Sequence, residues 1–267
     1  DDQWAPRGPF TFANTRGLGT LGSFFRARDL PATWMTSYSI ARDEESARVL
    51  REARDEGDEI AGHLHGWETP PYLEVDATHK PFIYEYDADV RLAKHESLLA
   101  AHEDAFGARP YSYRAGRWAV DALELAHLAQ LGYGIDSSIP PGIDFRDRFG
   151  LRAAGPDFRE WRSDVPAPFR DGALWEVPAS IVPVDDQLIW IRPLKHPREL
   201  LVRATRVLLE RGATIVNVMF HSSEAFVGTS PISRHAEDVE RLYGDLDAII
   251  NEAGAHGAVG RTLRAAV

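Results

Sequence analysis

The sequence predicts an α/β fold, an (α/β) barrel or open sheet of about seven parallel strands, and three observations predict it. Short runs rich in β-branched and aromatic residues alternate with longer segments of helical period. The joints between them are mostly short, and no internal repeat or low-complexity run breaks the series. Strand, helix, strand in that order implies parallel pairing with right-handed crossovers.

The strands are expected at residues 32–38, 59–64, 111–114, 133–136 and 174–178, then 214–220, with a weak last one at 258–263. The helices between them can be placed by their ends. Residues 43–56 carry Ala47, Leu50 and Ala53 on one face and stop at Gly57; Asp87 caps a run to Phe106 that Gly107 and Pro110 close. Residues 121–131 present Leu125, Leu128 and Ala129 before Gly132. Pro197 suits the first turn of a helix to Arg211, which Gly212 ends, and residues 234–252 have the same grammar. Residues 139–173 are the exception, dense in Pro, Gly, Asp and Arg and without periodicity. Phe145, Phe149, Phe158, Trp161 and Phe169 within them favour a folded rim loop over a disordered one. One domain over residues 1–267 accommodates all of this.

Composition narrows the function. Thirty Lys plus Arg against 41 Asp plus Glu leave a net charge of −11, which offers no electrostatic footprint for nucleic acid or an anionic membrane. No run approaches the roughly 18 apolar residues of a spanning helix, and the opening Asp1-Asp2-Gln3-Trp4 has no signal character, so no membrane partner is expected and cytoplasm is the default compartment. The absence of cysteine confines any metal site to His, Asp and Glu. No Gly-x-Ser-x-Gly elbow, Gly-x-Gly-x-x-Gly run or Walker sequence supports serine catalysis or phosphate cradling.

What stands out is His63-Leu64-His65, directly after an apolar strand. Residues two apart in an extended chain point to one side, so both imidazoles can reach one cation; as an isolated pair, two unrelated surface histidines would explain it as well. Arg114 and His221 also follow strands, which in a parallel barrel puts His63, Arg114 and His221 on the rim where the carboxyl ends meet. Locally, Arg114 could serve as an ion-pair partner and His221-Ser222-Ser223-Glu224 as a capping loop. Trp67, Trp118 and Trp161 could stack on sugar rings or fill space beneath loops.

The order of these motifs resembles the polysaccharide deacetylase family with the NodB homology fold, carbohydrate esterase family four and its relatives, and most resembles its divergent WalW-type branch. The resemblance is carried by Ala32-Thr33-Trp34, by Glu59-Ile60-Ala61-Gly62-His63-Leu64-His65 with Trp67, Thr69, Pro70 and Pro71, and by Tyr113-Arg114-Ala115-Gly116-Arg117-Trp118. Gly132-Tyr133 with Asp136-Ser137-Ser138, and Phe220-His221-Ser222-Ser223-Glu224 with Gly228, Ser230 and Pro231, extend it over nearly the whole chain. It implies a distorted (β/α) barrel, one divalent metal ion, usually zinc, and hydrolysis of an N-acetyl or similar small acyl group on a sugar. By motif matching, His63 and His65 are metal ligands, Arg114 orients the catalytic carboxylate, and His221 is the general acid; Trp67, Arg117, Trp118 and Glu224 are assigned to the substrate. The common family spacing is His-x-x-x-His, but position 67 here is Trp, so His65 takes the second place. The family's first strand ends in an acidic pair serving as base and metal ligand. Here Asp1-Asp2 open the sequence, so either that strand and its carboxylates lie upstream of Asp1 or Asp1 and Asp2 themselves do the work; Trp4, Pro6 and Gly8-Pro9, which look like the loop after such a motif, favour the first.

Two other readings fit parts of the pattern. An amidohydrolase-type metal barrel also uses His-x-His at a strand end, but on its first strand. A non-catalytic carbohydrate-binding protein on the same fold would need the aromatic residues without the acidity of His221.

Overall fold

The computed structural model describes residues 12–267, so Asp1 and Asp2 and the loop expected after them lie outside the described residues. Two short helices, α1 (Ala13–Arg16) and α2 (Leu18–Arg26), lead into strand β1 (Thr33–Thr36). Then follow α3 (Tyr38–Arg42), α4 (Glu44–Asp55), β2 (Glu59–Leu64), α5 (Ala88–Phe106), β3 (Ser112–Ala115), α6 (Ala122–Gln130) and β4 (Ile135–Asp136). The remainder is β5 (Phe169–Asp171), β6 (Leu174–Glu176), β7 (Ile181–Val184), β8 (Gln187–Trp190), α7 (Arg198–Glu210), α8 (Ala236–Ala255) and α9 (Leu263–Ala266).

The helices begin and end where their caps dictate. Asp43 accepts from the Ser46 amide at 3.0 Å and Asp121 from the Glu124 amide at 2.7 Å, each satisfying one of the amides that a first turn leaves unpaired. Asp87 occupies the cap position of α5 without a side-chain cap bond, while Gly107 closes that helix at φ 72°, a conformation glycine adopts without strain.

The main sheet runs β1-β2-β3-β4-β6-β5, parallel throughout except for the β5–β6 pair. Strands β7 and β8 form a separate antiparallel hairpin. Two segments expected as strands are not strands, and in both of them side-chain oxygens take amides that a ladder would use. In 214–220, the Asn217 amide donates to Ser180 Oγ at 2.8 Å while its carbonyl accepts from the Ser180 amide at 3.2 Å. Near the C-terminus, the amides of Leu263 and Arg264 donate to Thr33 Oγ1 and Glu59 Oε2, both at 2.9 Å.

Apolar clusters join the sheet and the hairpin to the helices. Leu64, Tyr113, Leu98 and Leu128 join β2 and β3 to α5 and α6. Leu21, Leu50, Leu242 and Leu246 join α2, α4 and α8, and Val182, Ile189, Leu201 and Leu208 fix the hairpin to α7. The rim segment 139–173 is folded, with Phe145 and Phe158 buried beside Trp118 and Trp190. Among the described residues no helix is long and apolar enough to cross a membrane. This frame brings the carboxyl ends of β2, β3, β4 and β6 to one end of the sheet.

Candidate active site

His63 lies on β2 in register with Arg114 on β3. Its Nδ1 is 2.7 Å from the Arg114 carbonyl, an atom that can only accept, so Nδ1 carries the proton and Nε2 the lone pair. That Nε2 faces His65 Nε2 at 3.1 Å. Burial pushes His63 down to about 4, opposed by the Arg114 carbonyl and reinforced by the charges of His221 and Arg114. His65 is also driven well below the ordinary histidine range, by burial first and then by His63. Both imidazoles are therefore neutral at pH 7, the form in which histidine binds a metal.

The pair fits a cation. Two nitrogens each about 2.0–2.1 Å from a shared zinc ion stand about 3.3 Å apart at tetrahedral angles, close to the observed separation. His63 is held from behind by a backbone carbonyl, as metal-bound histidines are. His65 Nδ1 is buried without a partner, which leaves its tautomer free to change when Nε2 is bound. Among the described residues no group of three or more His, Asp and Glu converges, so the described part of such a site consists of these two histidines. Gly116 makes the site sterically feasible, because a Cβ there would lie 2.5 Å from both His65 Nδ1 and the Leu64 carbonyl oxygen.

Arg114 is buried beneath the pair. Its Nε donates to the Ser137 carbonyl at 2.8 Å and its Nη2 to Ser137 Oγ at 2.7 Å, with Asn217 Oδ1 at 3.4 Å. Burial lowers Arg114 to about 10, and the charges of Asp136 and Glu176 oppose that fall, so it stays cationic at neutral pH. Asp136 and Glu176 are paired in the β4–β6 register and hydrogen-bonded to each other. Burial raises both carboxyls, and Glu176 goes well above the usual range because the Asp136 charge adds to it. The pair holds one proton on Glu176, and the remaining negative charge balances Arg114. Asn217 ties this cluster to the 214–220 segment, its Nδ2 donating to Ser137 Oγ at 3.0 Å and to the Val177 and Pro178 carbonyls at 3.1 and 3.0 Å.

His221 lies near enough for its charge to lower both His63 and His65. Its Nδ1 is 2.7 Å from Glu224 Oε1. Glu224 is fully buried, and the same Oε1 also accepts from Arg192 Nη2. Burial alone would raise the Glu224 carboxyl; the His221 hydrogen bond and the Arg192 charge reverse that and hold it below its ordinary value.

The residues assigned to substrate binding divide. Trp67 is half-buried, tilts against His65 with ring centroids 4.5 Å apart, and lines a cavity of about 400 Å³ with Tyr38, Ser39, Glu68 and Tyr72. Glu68, which sequence reasoning missed, hydrogen-bonds Ser39 there, and burial raises its carboxyl above the usual range. Trp118 is buried edge-on to Trp190 at 5.3 Å, so it supplies bulk beneath the rim loop rather than an open platform. Arg117, at φ 57°, lies 3.9 Å over the Phe82 ring and donates to the carbonyls of Lys80 and Phe149, bracing two loops. Glu224 faces inward to His221 and Arg192. Trp161 is exposed and stacks on Phe169.

No family model matches the sequence, and no curated protein matches it significantly. Solved structures do resemble it. A Mycobacterium smegmatis protein assigned as a polysaccharide deacetylase aligns over 94% of this chain and 82% of its own, at 17% identity and TM-score 0.51. The chitin deacetylase of the fungal pathogen Colletotrichum lindemuthianum aligns over 97% and 83%, at 15% identity and TM-score 0.51. The Xyl-CE4 domain of a multidomain xylanase from the hindgut metagenome of Trinervitermes trinervoides aligns over 97% and 84%, at 12% identity and TM-score 0.50. At these identities the likeness shows the fold: the NodB-type α/β arrangement of polysaccharide deacetylases, which the sequence predicts.

Proposed function

We propose that this chain is a metal-dependent hydrolase that removes an N-acetyl or similar small acyl group from a sugar or polysaccharide intermediate. The observation that carries the reading is the facing pair of neutral imidazoles, His63 Nε2 and His65 Nε2, 3.1 Å apart at the carboxyl end of β2 with His221 beside them. These two histidines would hold a divalent cation, zinc by preference, which supplies electrophilic pull on the amide carbonyl and a more acidic water. Arg114 contributes twice: its carbonyl fixes the tautomer of His63, and its guanidinium keeps a positive charge beneath the site, balanced by Asp136. His221 donates a proton to the nitrogen as the C–N bond breaks, because an amine leaves poorly unless protonated. Water adds to the acyl carbon, and the products are acetate and a free amine. Trp67 packs against a sugar ring from the cavity side. The assignment to the WalW-type branch rests on motif order.

Acetate release from an N-acetylated amino-sugar oligomer, measured with added zinc, tests the reading. It expects acetate and new amine in equal amounts from the wild type and a loss of about 10²–10⁴-fold in His221→Ala. Binding of the oligomer with no acetate from the wild type would mean a carbohydrate-binding protein on this fold. Undiminished acetate from His221→Ala would remove His221 from the chemistry.

A further inference from the structure

His221 opens a single 3₁₀ turn, Ser222–Ala225, and its side chain is 39% exposed while that of Glu224, three residues on, is fully buried. Two groups converge on Glu224 Oε1: His221 Nδ1 at 2.7 Å and Arg192 Nη2, with Nη2 itself 3.4 Å from Nδ1. Arg192 comes from a different part of the chain. It follows β8, where its amide donates to the Trp190 carbonyl at 2.7 Å in a tight turn that directs the side chain inward.

An ion pair that only holds the fold together favours the bidentate fork, each guanidinium nitrogen on its own oxygen. Here both partners share one oxygen, and Arg192 Nε and Glu224 Oε2 are each left buried without a partner. Nor is the carboxylate mainly a cap for its own turn, since the His221 amide is 3.4 Å from Oε1, well beyond the imidazole contact. The position of Oε1 is the one that His221 Nδ1 requires.

The geometry points to Glu224 and Arg192 as positioning residues for His221: Glu224 accepts the Nδ1 proton and so leaves Nε2 as the nitrogen that takes up a proton and passes it to the leaving amine, while Arg192 holds the buried carboxylate in place. The logic is that of a carboxylate orienting a catalytic imidazole, with the difference that the carboxylate is itself anchored by a cation. The inference rests on His221 being the proton donor of the proposed reaction.

Long-range ¹H–¹⁵N spectra of protein labelled at histidine test it without an activity assay. At a pH where His221 is neutral, and with its signal identified by its loss in His221→Gln, the wild type is expected to carry the proton on Nδ1. Glu224→Gln, whose amide oxygen still accepts, is expected to keep that tautomer, whereas Glu224→Ala shifts it toward Nε2–H. Arg192→Met is expected to give mixed populations. On an N-acetylated oligomer, Glu224→Ala should lose about 10–100-fold in kcat with little change in KM, because positioning acts on proton transfer and not on sugar contacts. A wild-type ring protonated on Nε2, or an unchanged tautomer in folded Glu224→Ala, overturns the proposal; the wild-type spectrum decides the first of these even if the variants do not fold. An Nδ1–H tautomer in a wild type that releases no acetate would leave the clamp standing and refute the deacetylase reading instead.

Discussion

Replacing Lys94 by methionine should destabilise the protein by about 4 kcal/mol. Lys94 is on α5 with no exposed surface, and its Nζ lies 2.8 Å from the carbonyls of Gly66, Thr69 and Pro71 and 3.2 Å from Asp76 Oδ2. These carbonyls belong to the loop that begins at His65 and carries Trp67, so one buried ammonium fastens the segment on which half the proposed metal site depends. Removing one partner of a buried ion pair costs about 3–5 kcal/mol, and each orphaned buried acceptor about 1–3 kcal/mol. The full sum is not reached, because Asp76 keeps the Tyr86 hydroxyl at 2.6 Å and the Leu73 amide at 2.8 Å. Urea unfolding followed by circular dichroism measures the loss as a fall in midpoint at constant slope. If the carbonyls matter more than the ion pair, adding Asp76→Asn to Lys94→Met should recover only about 1–2 kcal/mol. A loss below about 1 kcal/mol in Lys94→Met, or full recovery in the double variant, would refute the reasoning.

Three further outcomes follow from buried groups. His102 is held down to about 4 by burial, against the Thr36 carbonyl it meets at 3.0 Å, while in the unfolded chain it titrates near 6.5. Its contribution is therefore complete above pH 6.5 and is lost as pH falls toward 4, about 3 kcal/mol in all, and His102→Gln should flatten the stability curve in that window by a comparable amount. Because Glu176 holds the proton of its pair, Glu176→Gln should cost less than about 1 kcal/mol at pH 7, whereas Asp136→Asn, which strips Arg114 of its counter-charge, should cost about 3–5 kcal/mol; equal costs would contradict the assigned proton. Gly116→Ala must displace His65 or the Leu64 carbonyl, each 2.5 Å from the new methyl, and should cost about 1–3 kcal/mol and weaken zinc binding measured by titration calorimetry; unchanged affinity would mean that His65 is not a ligand.

Much of this was legible in the sequence because its signals are local. The helices α4 to α8 lie within about three residues of expectation, since Asp43, Asp121, Gly107, Gly132 and Gly212 mark their ends by short-range chemistry. The β7–β8 hairpin escaped notice although Asp185-Asp186 separates two apolar runs, because Pro183 within the first run argues against a strand. Residues 214–220 have strand composition, but whether they join a ladder depends on Ser180, far away in sequence. The same holds at the site. His63, His65, Arg114 and His221 announce themselves by standing at the ends of apolar runs of strand composition. Arg192 reaches Glu224 across 32 residues, Asp136 meets Glu176 across 40, and Arg114 meets Asn217 across 103, so only the fold could reveal those partners.

The most direct test of the central claim is the divalent metal content per chain, by elemental analysis of protein purified without chelator, in the wild type and in His63→Ala/His65→Ala. Near-stoichiometric zinc or another divalent ion in the wild type, lost in the double variant, is the predicted result. Equal metal in both proteins, or none in a wild type that has been offered zinc, would contradict it.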